Sequence, residues 1–180
     1  DHVEIFSDKK ITVIAHKVKH RIPCWAFEFK QNYQIRNLKK ECISQYGLTI
    51  AQISGLKQGK DVLLENSKFL LNKEVTYLVP KVSYVYITDT RFLSSLTNYI
   101  QNPTVLYHEA TFDSSLKKRA KETYHSTSDQ AALFAKTVGA QKLIIGHFSA
   151  RYKHLDNLLC EAREIFPETY LAQDLERFTF

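Results

Sequence analysis

The sequence contains no methionine among its 180 residues. A translated protein starts with methionine, so a chain that opens at Asp1 is expected to be part of a longer product. The opening residues Asp1, His2, Val3 and Glu4 also lack the basic and apolar regions of a secretory signal peptide. We therefore expect that a further segment of the protein precedes this chain.

Cysteine is scarce, and no long apolar run occurs. The three cysteines form an odd set without a Cys-x-x-Cys pair, which favours a reducing compartment over a disulfide framework. No stretch approaches the roughly 18 uninterrupted apolar residues that a membrane-spanning helix requires. These absences predict a soluble, cytoplasmic protein without a membrane partner.

The composition that is present suits one folded domain. A chain of 180 residues that is 44% hydrophobic and 24% charged can bury a sizeable core, so disorder is excluded and residues 1–180 are predicted to form a single domain. The net charge of +6 and the isoelectric point near 9.1 fit a polyanionic partner such as nucleic acid, although the excess of basic residues is modest.

Strand and helix patterns alternate along the second half, which indicates an α/β fold. Strands rich in Val, Ile and aromatic residues are predicted at 3–6, 11–18, 22–29, 82–88, 104–108 and 142–147. Helices are predicted at 37–46, 49–57, 92–100, 114–122, 128–138 and 155–165, with a short two-strand excursion at 61–71. Ser128 is predicted as the N-cap of the helix at 128–138 and Asp129 as a residue of its first turn. The middle section, residues 37–71, is predicted to be a peripheral insert.

Three polar residues stand where predicted strands end. Asp89 and Glu109 follow apolar runs, and His147 ends a third run. Carboxyl ends of neighbouring parallel strands meet at one edge of a sheet, so these side chains are expected to converge on one site.

Histidine spacing gives a weaker signal. His16 and His20 have the spacing of a helical zinc pair, but the surrounding residues favour a strand, in which they would lie about 13 Å apart. They cannot bind one ion, and each histidine alone is as well explained by an ordinary hydrogen bond.

Both carboxylates at the predicted strand ends have alternative explanations. Asp89 suits a metal ligand and the N-cap of the helix predicted at 92–100 equally well. Glu109 requires a cation or a hydrogen-bond network if it is buried, and pairing near Lys117 and Lys118 is the alternative.

The remaining polar residues suit phosphate chemistry. His125 precedes a predicted helix N-terminus, whose positive partial charge is expected to lower its pKa and to suit it to proton transfer; simple loop polarity is the alternative. Arg151 and Ser149 match phosphate oxygens, although Arg151 also suits a surface ion pair. The basic run at residues 117–121 favours a solvated helix face, and it becomes an RNA backbone contact if the site handles nucleic acid.

Five motifs taken together resemble ribonuclease Z, the tRNA 3′-processing endonuclease of the metallo-β-lactamase superfamily. They are His20-Arg-Ile-Pro-Cys-Trp-Ala-Phe27, Thr88-Asp89-Thr90, Tyr107-His-Glu-Ala-Thr-Phe112, His125-Ser-Thr127 and Gly146-His-Phe-Ser-Ala-Arg-Tyr152. Their order and spacing match the family from about residue 11 to residue 174. The resemblance implies the C-terminal half of an αββα sandwich, and hydrolysis that removes the 3′ trailer of precursor tRNA and leaves a 3′-hydroxyl.

The resemblance also implies a role for each site residue. It assigns His20, Asp89 and His147 as ligands of two zinc ions, His125 and Glu109 as catalytic residues with Glu109 orienting His125, and Ser149 and Arg151 as phosphate-binding residues. Two adjacent zinc ions can clamp the attacking and leaving oxygens of a phosphodiester.

One departure from the family limits these expectations. The His-x-His-x-Asp-His motif, which supplies the other zinc ligands and the general base, is absent. The N-terminal half that carries it is expected to be missing, so zinc binding should be incomplete and the isolated chain inactive. Half a sandwich would expose an apolar sheet face, which predicts a homodimer. The alternative is a non-catalytic RNA-binding or interaction module; a small-molecule phosphodiesterase is less favoured by the motifs.

Overall fold

The computed structural model describes residues 2–179; Asp1 and Phe180, the two ends of the predicted single domain, lie outside the described residues. The chain folds as two compact units. The larger unit comprises residues 2–31 and 82–179, and the smaller comprises residues 32–81. In the part of the chain that is described, no helix has the length and apolarity needed to cross a membrane.

The fold mixes strands and helices, as predicted. The strands are β1 (His2–Ser7), β2 (Ile11–Lys19), β3 (Pro23–Gln31), β4 (Arg36–Leu38), β5 (Val62–Leu63), β6 (Phe69–Leu70), β7 (Thr76–Leu78), β8 (Ser83–Ile87), β9 (Val105–Glu109), β10 (Lys142–Gly146) and β11 (Thr169–Leu171). The helices are α1 (Lys40–Gln45), α2 (Ile50–Lys57), α3 (Asn72–Val75), α4 (Lys117–Thr123), α5 (Ser128–Thr137) and α6 (Asp156–Ile165), with 3₁₀ turns at Ser94–Asn98 and Ser114–Leu116.

A seven-stranded sheet organises the larger unit, in the order β1-β2-β3-β8-β9-β10-β11. Strands β1, β2, β3 and β8 pair antiparallel, whereas β8, β9, β10 and β11 run parallel. The parallel register places the carboxyl ends of β8, β9 and β10 side by side. This confirms that the three predicted strand ends meet at one edge.

Helix α5 covers one face of this sheet. Ile87, Leu106 and Ile145 are fully buried there, in one cluster with Ala131 and Phe134 of α5. Three alanines on α5 let the helix approach closely, and a capping box between Thr127 and Gln130 fixes its start. The predicted cap at Ser128 is therefore wrong by one residue, because Ser128 is already helical.

The opposite face of the sheet is aromatic. The strand register places Trp25, Phe27, Phe29, Tyr84, Tyr86 and Tyr107 on it. The rings of Tyr86 and Tyr107 stack with centroids 4.7 Å apart, and Trp25 remains 39% exposed. Partial burial raises the pKa of Tyr107 to about 12. This face is therefore a broad aromatic surface that is only partly buried.

Gly146 ends β10 at a point where the backbone has no room for a side chain. A Cβ atom at Gly146 would lie 2.3 Å from the hydroxyl oxygen of Tyr107 and 2.8 Å from its Cζ. The tyrosine ring occupies the space that a side chain would need. Glycine is thus required at position 146, because the Tyr107 ring approaches its backbone too closely for a side chain to fit.

The smaller unit has its own core. Strand β4 pairs with β7 and β5 pairs with β6, and buried Leu38, Leu56 and Val75 pack together with other apolar residues. The predicted two-strand excursion at 61–71 is confirmed by β5 and β6. The helix predicted at 37–46 begins too early, because residues 36–38 pair as a strand before α1 starts.

Two further differences lie in the larger unit. The helix predicted at 92–100 is only a 3₁₀ turn over Ser94–Asn98, preceded by Leu93 as its N-cap. The N-cap explanation for Asp89 is therefore wrong. Strand β11 was not predicted, because three residues give too short a pattern to distinguish from a loop.

Candidate active site

Five ionisable side chains meet at the sheet edge where β8, β9 and β10 end. They are His20 after β2, Asp89 after β8, Glu109 at the end of β9, His125 before α5 and His147 after β10. The ring of His125 lies centrally, with its centroid 5.1 Å from that of His20 and 5.2 Å from that of His147. Asp89 Oδ1 lies 3.4 Å from His147 Nε2. The five residues predicted as metal ligands or catalytic residues are thus brought together.

Glu109 is completely buried and fully hydrogen-bonded. Its carboxylate accepts bonds from Thr90 N at 2.6 Å, Thr111 Oγ1 at 2.6 Å, Ser126 N at 3.0 Å and His125 Nδ1 at 3.0 Å. Burial opposes ionisation of Glu109, but hydrogen bonds from His125, Thr111 and Ser126 outweigh it and lower its pKa. These hydrogen bonds compensate for the burial of the Glu109 carboxylate, so pairing with Lys117 or Lys118 of α4 is not needed.

His125 takes its orientation from this carboxylate. Its Nδ1 faces both oxygens of Glu109, at 3.0 and 3.2 Å. The hydrogen bond to Glu109 raises the pKa of His125 even though partial burial opposes it. The expected lowering is therefore wrong, because a carboxylate in direct contact outweighs the partial charge of a helix terminus.

Thr111 connects the same carboxylate to His147. Its hydroxyl donates to Glu109 Oε2 at 2.6 Å and lies 2.9 Å from His147 Nδ1. Since the hydroxyl has one proton, Nδ1 of His147 is the donor to Thr111 in this arrangement. Nε2 of His147 is then left to face Asp89. Asp89 Oδ1 lies 3.4 Å from this nitrogen, close enough for one metal ion to contact both atoms.

The backbone is unusual at both members of that pair. Asp89 has φ +48° and His147 has φ +60°, in the left-handed region that side-chain-bearing residues adopt rarely. Each such residue costs about 1–3 kcal/mol. Strain at these two neighbouring residues is typical of a functional site.

His20 presents one ring nitrogen to the cluster. Its Nδ1 donates to the backbone carbonyl of Tyr124, 3.1 Å away, because a carbonyl can only accept. This bond fixes the tautomer and leaves Nε2 as an acceptor, the arrangement found in metal-binding histidines.

Two overlapping groups of three residues could hold a metal ion. Donor atoms of His20, Asp89 and His125 lie within 4.8 Å of one another, and so do those of Glu109, His125 and His147. Sequence reasoning gave His125 and Glu109 catalytic roles and did not anticipate that His125 belongs to both groups. It also missed Thr111, which lies inside a quoted motif but carries no signal of its own.

Ser149 and Arg151 lie next to each other beside this cluster. Arg151 Nε donates to Ser149 Oγ at 3.2 Å, and its guanidinium carbon lies 5.0 Å from the centre of the Phe112 ring. Ser149 N donates to the carbonyl of Thr111 at 3.1 Å. The predicted pair is thus tied to the segment that holds Glu109.

Comparison with known proteins supports the predicted resemblance. No protein-family model matches the sequence. The chain is 36% identical over 177 residues to ribonuclease Z of Porphyromonas gingivalis, an alignment that covers 98% of this chain and 58% of that protein. It is 39% identical over 170 residues to ribonuclease Z of Cytophaga hutchinsonii, covering 93% and 54% respectively. The chain therefore resembles ribonuclease Z over nearly its whole length and spans about half the length of these relatives.

Solved structures confirm the fold. The metallo-β-lactamase fold protein YhfI of Bacillus subtilis superposes with a TM-score of 0.61 at 18% identity, covering 95% of this chain and 50% of YhfI. Human tRNase Z, short form, superposes with a TM-score of 0.56 at 22% identity, covering 96% of this chain and 43% of that chain. The chain thus has the fold of about half of a metallo-β-lactamase protein, as predicted.

Proposed function

We propose that the protein carrying this chain is a zinc-dependent endoribonuclease that removes the 3′ trailer from precursor tRNA and leaves a 3′-hydroxyl. The observation that carries this proposal is the convergence of three histidines and two carboxylates at the sheet edge. Similarity to relatives named ribonuclease Z supplies the reaction. The chain is proposed to supply one half of the active site. The protein is proposed to act in the cytoplasm.

The side chains at the site are of the kinds that bind zinc, but there are too few of them to hold two zinc ions. Imidazole and carboxylate are common zinc ligands. His20, Asp89 and His147 would hold the metal, with His20 and Asp89 in one of the two donor groups and His147 in the other. Bound zinc supplies a Lewis acid for phosphoryl oxygens and makes water a stronger nucleophile. Two zinc ions need more ligands than these three residues offer, so the remaining ligands are proposed to come from the half that carries the His-x-His-x-Asp-His motif.

His125 and Glu109 act as a pair in this proposal. Glu109 holds Nδ1 of His125 at 3.0 Å, so the other ring nitrogen, Nε2, is the one that contacts the scissile phosphate or delivers a proton to the leaving oxygen. A carboxylate that raises the pKa of His125 keeps a larger share of the ring protonated near neutral pH, as a general acid requires. Ser149 and Arg151 are proposed to hold a phosphate through hydroxyl and guanidinium donors.

Cleavage of labelled precursor tRNA tests this function. The complete encoded protein is expected to release the trailer and to leave a 3′-hydroxyl, whereas the 180-residue chain alone is expected to be inactive. His125→Ala should lower kcat/KM by about 100-fold or more, the usual contribution of a general acid or base. His154→Ala is the matched control, because His154 is exposed and lies outside both ligand groups.

Two outcomes would contradict the proposal. Trailer cleavage by the 180-residue chain alone would show that the site needs no further ligands. A complete protein that binds precursor tRNA without cleaving it, with zinc present, would favour a non-catalytic RNA-binding module instead.

A further inference from the structure

A groove that His125 helps to line is left unassigned by the proposed site. It encloses about 440 Å³, within the range of about 300–1,000 Å³ in which proteins bind small molecules or parts of larger ones. Its lining includes Ser94 and Ser95 of the 3₁₀ turn, Lys117 and Lys121 of helix α4, and His125. A group bound in this groove would therefore sit next to the proposed catalytic histidine.

The groove is cationic. Arg91, Lys117 and Lys121 line it, and none of its lining residues is acidic. Lys117 Nζ lies 3.4 Å from Asp129 Oδ2, so part of its charge is already balanced. Within residues 2–179, no carboxylate forms an ion pair with Arg91 or Lys121. Two cations are thus available to an anionic ligand.

Positive charge continues beyond the groove. A neighbouring depression shares Arg91 and Lys121 and adds Lys118, with Glu122 as its one acidic residue. A ligand with a single phosphate would use only one end of this row of cations. A nucleic-acid strand with successive phosphates can contact all of these cations, which favours a polymeric anion.

The wall formed by Phe92 and Leu93 is apolar. Both side chains are half-buried against the core and still line the groove. An aromatic surface beside cations is how proteins bind single-stranded nucleic acid without reading its sequence, because bases stack while the phosphates pair.

We infer that this groove binds the single-stranded RNA adjoining the cleaved bond, with phosphates on Arg91 and Lys121 and a base against Phe92. The inference rests on the proposed function, since His125 is the residue that links the groove to the scissile phosphate. The groove takes Lys117 and Lys121 from α4. Its contacts are independent of base identity.

The salt dependence of RNA binding tests this assignment. The probe is a fluorescently labelled oligouridine of about 12 nucleotides, within the range of site sizes of single-strand binders, measured by anisotropy between about 50 and 200 mM KCl. The variant Arg91→Ala/Lys121→Ala should reduce the slope of log K against log salt by about 1.4, since each single-strand phosphate contact contributes about 0.7. Arg91→Lys/Lys121→Arg retains both charges and should retain the slope.

The matched control removes two charges elsewhere. Lys9 and Lys136 are exposed and line neither depression, so Lys9→Ala/Lys136→Ala should leave the slope unchanged. Circular dichroism of each variant establishes that it folds. An unchanged slope in a folded Arg91→Ala/Lys121→Ala variant, or an equal loss in the control, overturns the groove assignment.

The salt-dependence measurement and the cleavage assay test the groove assignment and the ribonuclease proposal separately. If precursor tRNA is cleaved but the slope is unchanged, the function stands and the groove assignment is wrong. If the slope falls as expected but the complete protein does not cleave precursor tRNA, the groove stands as an RNA-binding site and the ribonuclease proposal is wrong.

Discussion

Thr111 Oγ1 lies 2.9 Å from Nδ1 of His147. The same hydroxyl donates to Glu109, which also holds His125. One buried carboxylate therefore orients two histidines, one directly and one through Thr111. Each ring engages Nδ1 in this network, so Nε2 is the nitrogen left for a ligand in both.

Replacing Thr111 with valine should loosen this network. Thr111→Val keeps the shape of the side chain but removes a donor to the buried Glu109, which should lower the free energy of unfolding by about 1–3 kcal/mol. Loss of a residue that orients a metal-binding histidine typically lowers metal affinity about 10–100-fold. Chemical denaturation and zinc titration measure the two effects.

Loss of the Thr111 hydroxyl, rather than a change in side-chain volume, should cause the loss of stability and of zinc affinity. Thr111→Ser retains the hydroxyl and should keep both stability and the Nδ1-protonated form of His147, which ¹⁵N chemical shifts report. An unaltered His147 tautomer in Thr111→Val would contradict the role assigned to Thr111.

Zinc binding should depend on the three proposed ligands. The 180-residue chain is expected to bind zinc more weakly than a complete four-ligand site, and His20→Ala or Asp89→Ala should weaken it further. Calorimetric titration measures this, with His154→Ala as the variant expected to match the unchanged chain. Tight stoichiometric zinc in the chain alone would contradict the argument from missing ligands.

Gly146 should not tolerate a side chain while Tyr107 is present. Gly146→Ala places Cβ 2.3 Å from the tyrosine hydroxyl oxygen and should cost about 1–3 kcal/mol of unfolding free energy, as overpacking usually does. In a double-mutant cycle, Tyr107→Ala should remove most of that cost. Additive effects of the two changes would show that the ring is not the obstacle.

Asp113 should make stability depend on pH in the acid range. Burial opposes its ionisation, but hydrogen bonds from Ser115 and Tyr152 lower its pKa below the usual 3.8. The ionised carboxylate therefore stabilises the fold above about pH 4, and this contribution is lost as the pH falls through the folded-state pKa. Tyr152 Oη donates to Asp113 Oδ2 at 2.8 Å, so the pair joins the segments after β9 and β10.

Denaturation of Asp113→Asn at two pH values checks this. The variant should be less stable than the unchanged chain at pH 7, and the difference should shrink as the pH falls below about 4 and through the lowered folded-state pKa of Asp113. A difference that is constant across this range would mean that the charge of Asp113 contributes nothing.

The aromatic sheet face predicts self-association of the isolated chain. Trp25 is 39% exposed on that face, and an exposed apolar surface of this kind favours burial against a second copy. Sedimentation should detect a dimer that Trp25→Glu weakens. Leu133→Glu is the control, because Leu133 is 46% exposed on α5 instead, and a monomeric unchanged chain would contradict the prediction.

The sequence was sufficient to predict which polar residues meet at the carboxyl ends of β8, β9 and β10. Apolar runs ending in Asp89, Glu109 and His147 identify three strand ends, because a buried strand needs apolar side chains and a polar residue marks where the apolar run stops. His125 was singled out by its place before a predicted helix as well as by motif resemblance, whereas the ligand role of His20 came from resemblance alone. Most helices and strands of the larger unit follow from the same local patterns.

Only the tertiary structure decided how these residues act on one another. Glu109 and His125 are 16 positions apart, and Thr111 and His147 are 36 apart, so no local pattern encodes their hydrogen bonds. The folded contact reversed the expected pKa shift of His125, because a carboxylate at 3.0 Å outweighs a helix terminus. Composition and spacing determine which groups are present, whereas the strand register sets the distances on which their protonation and ligand geometry depend.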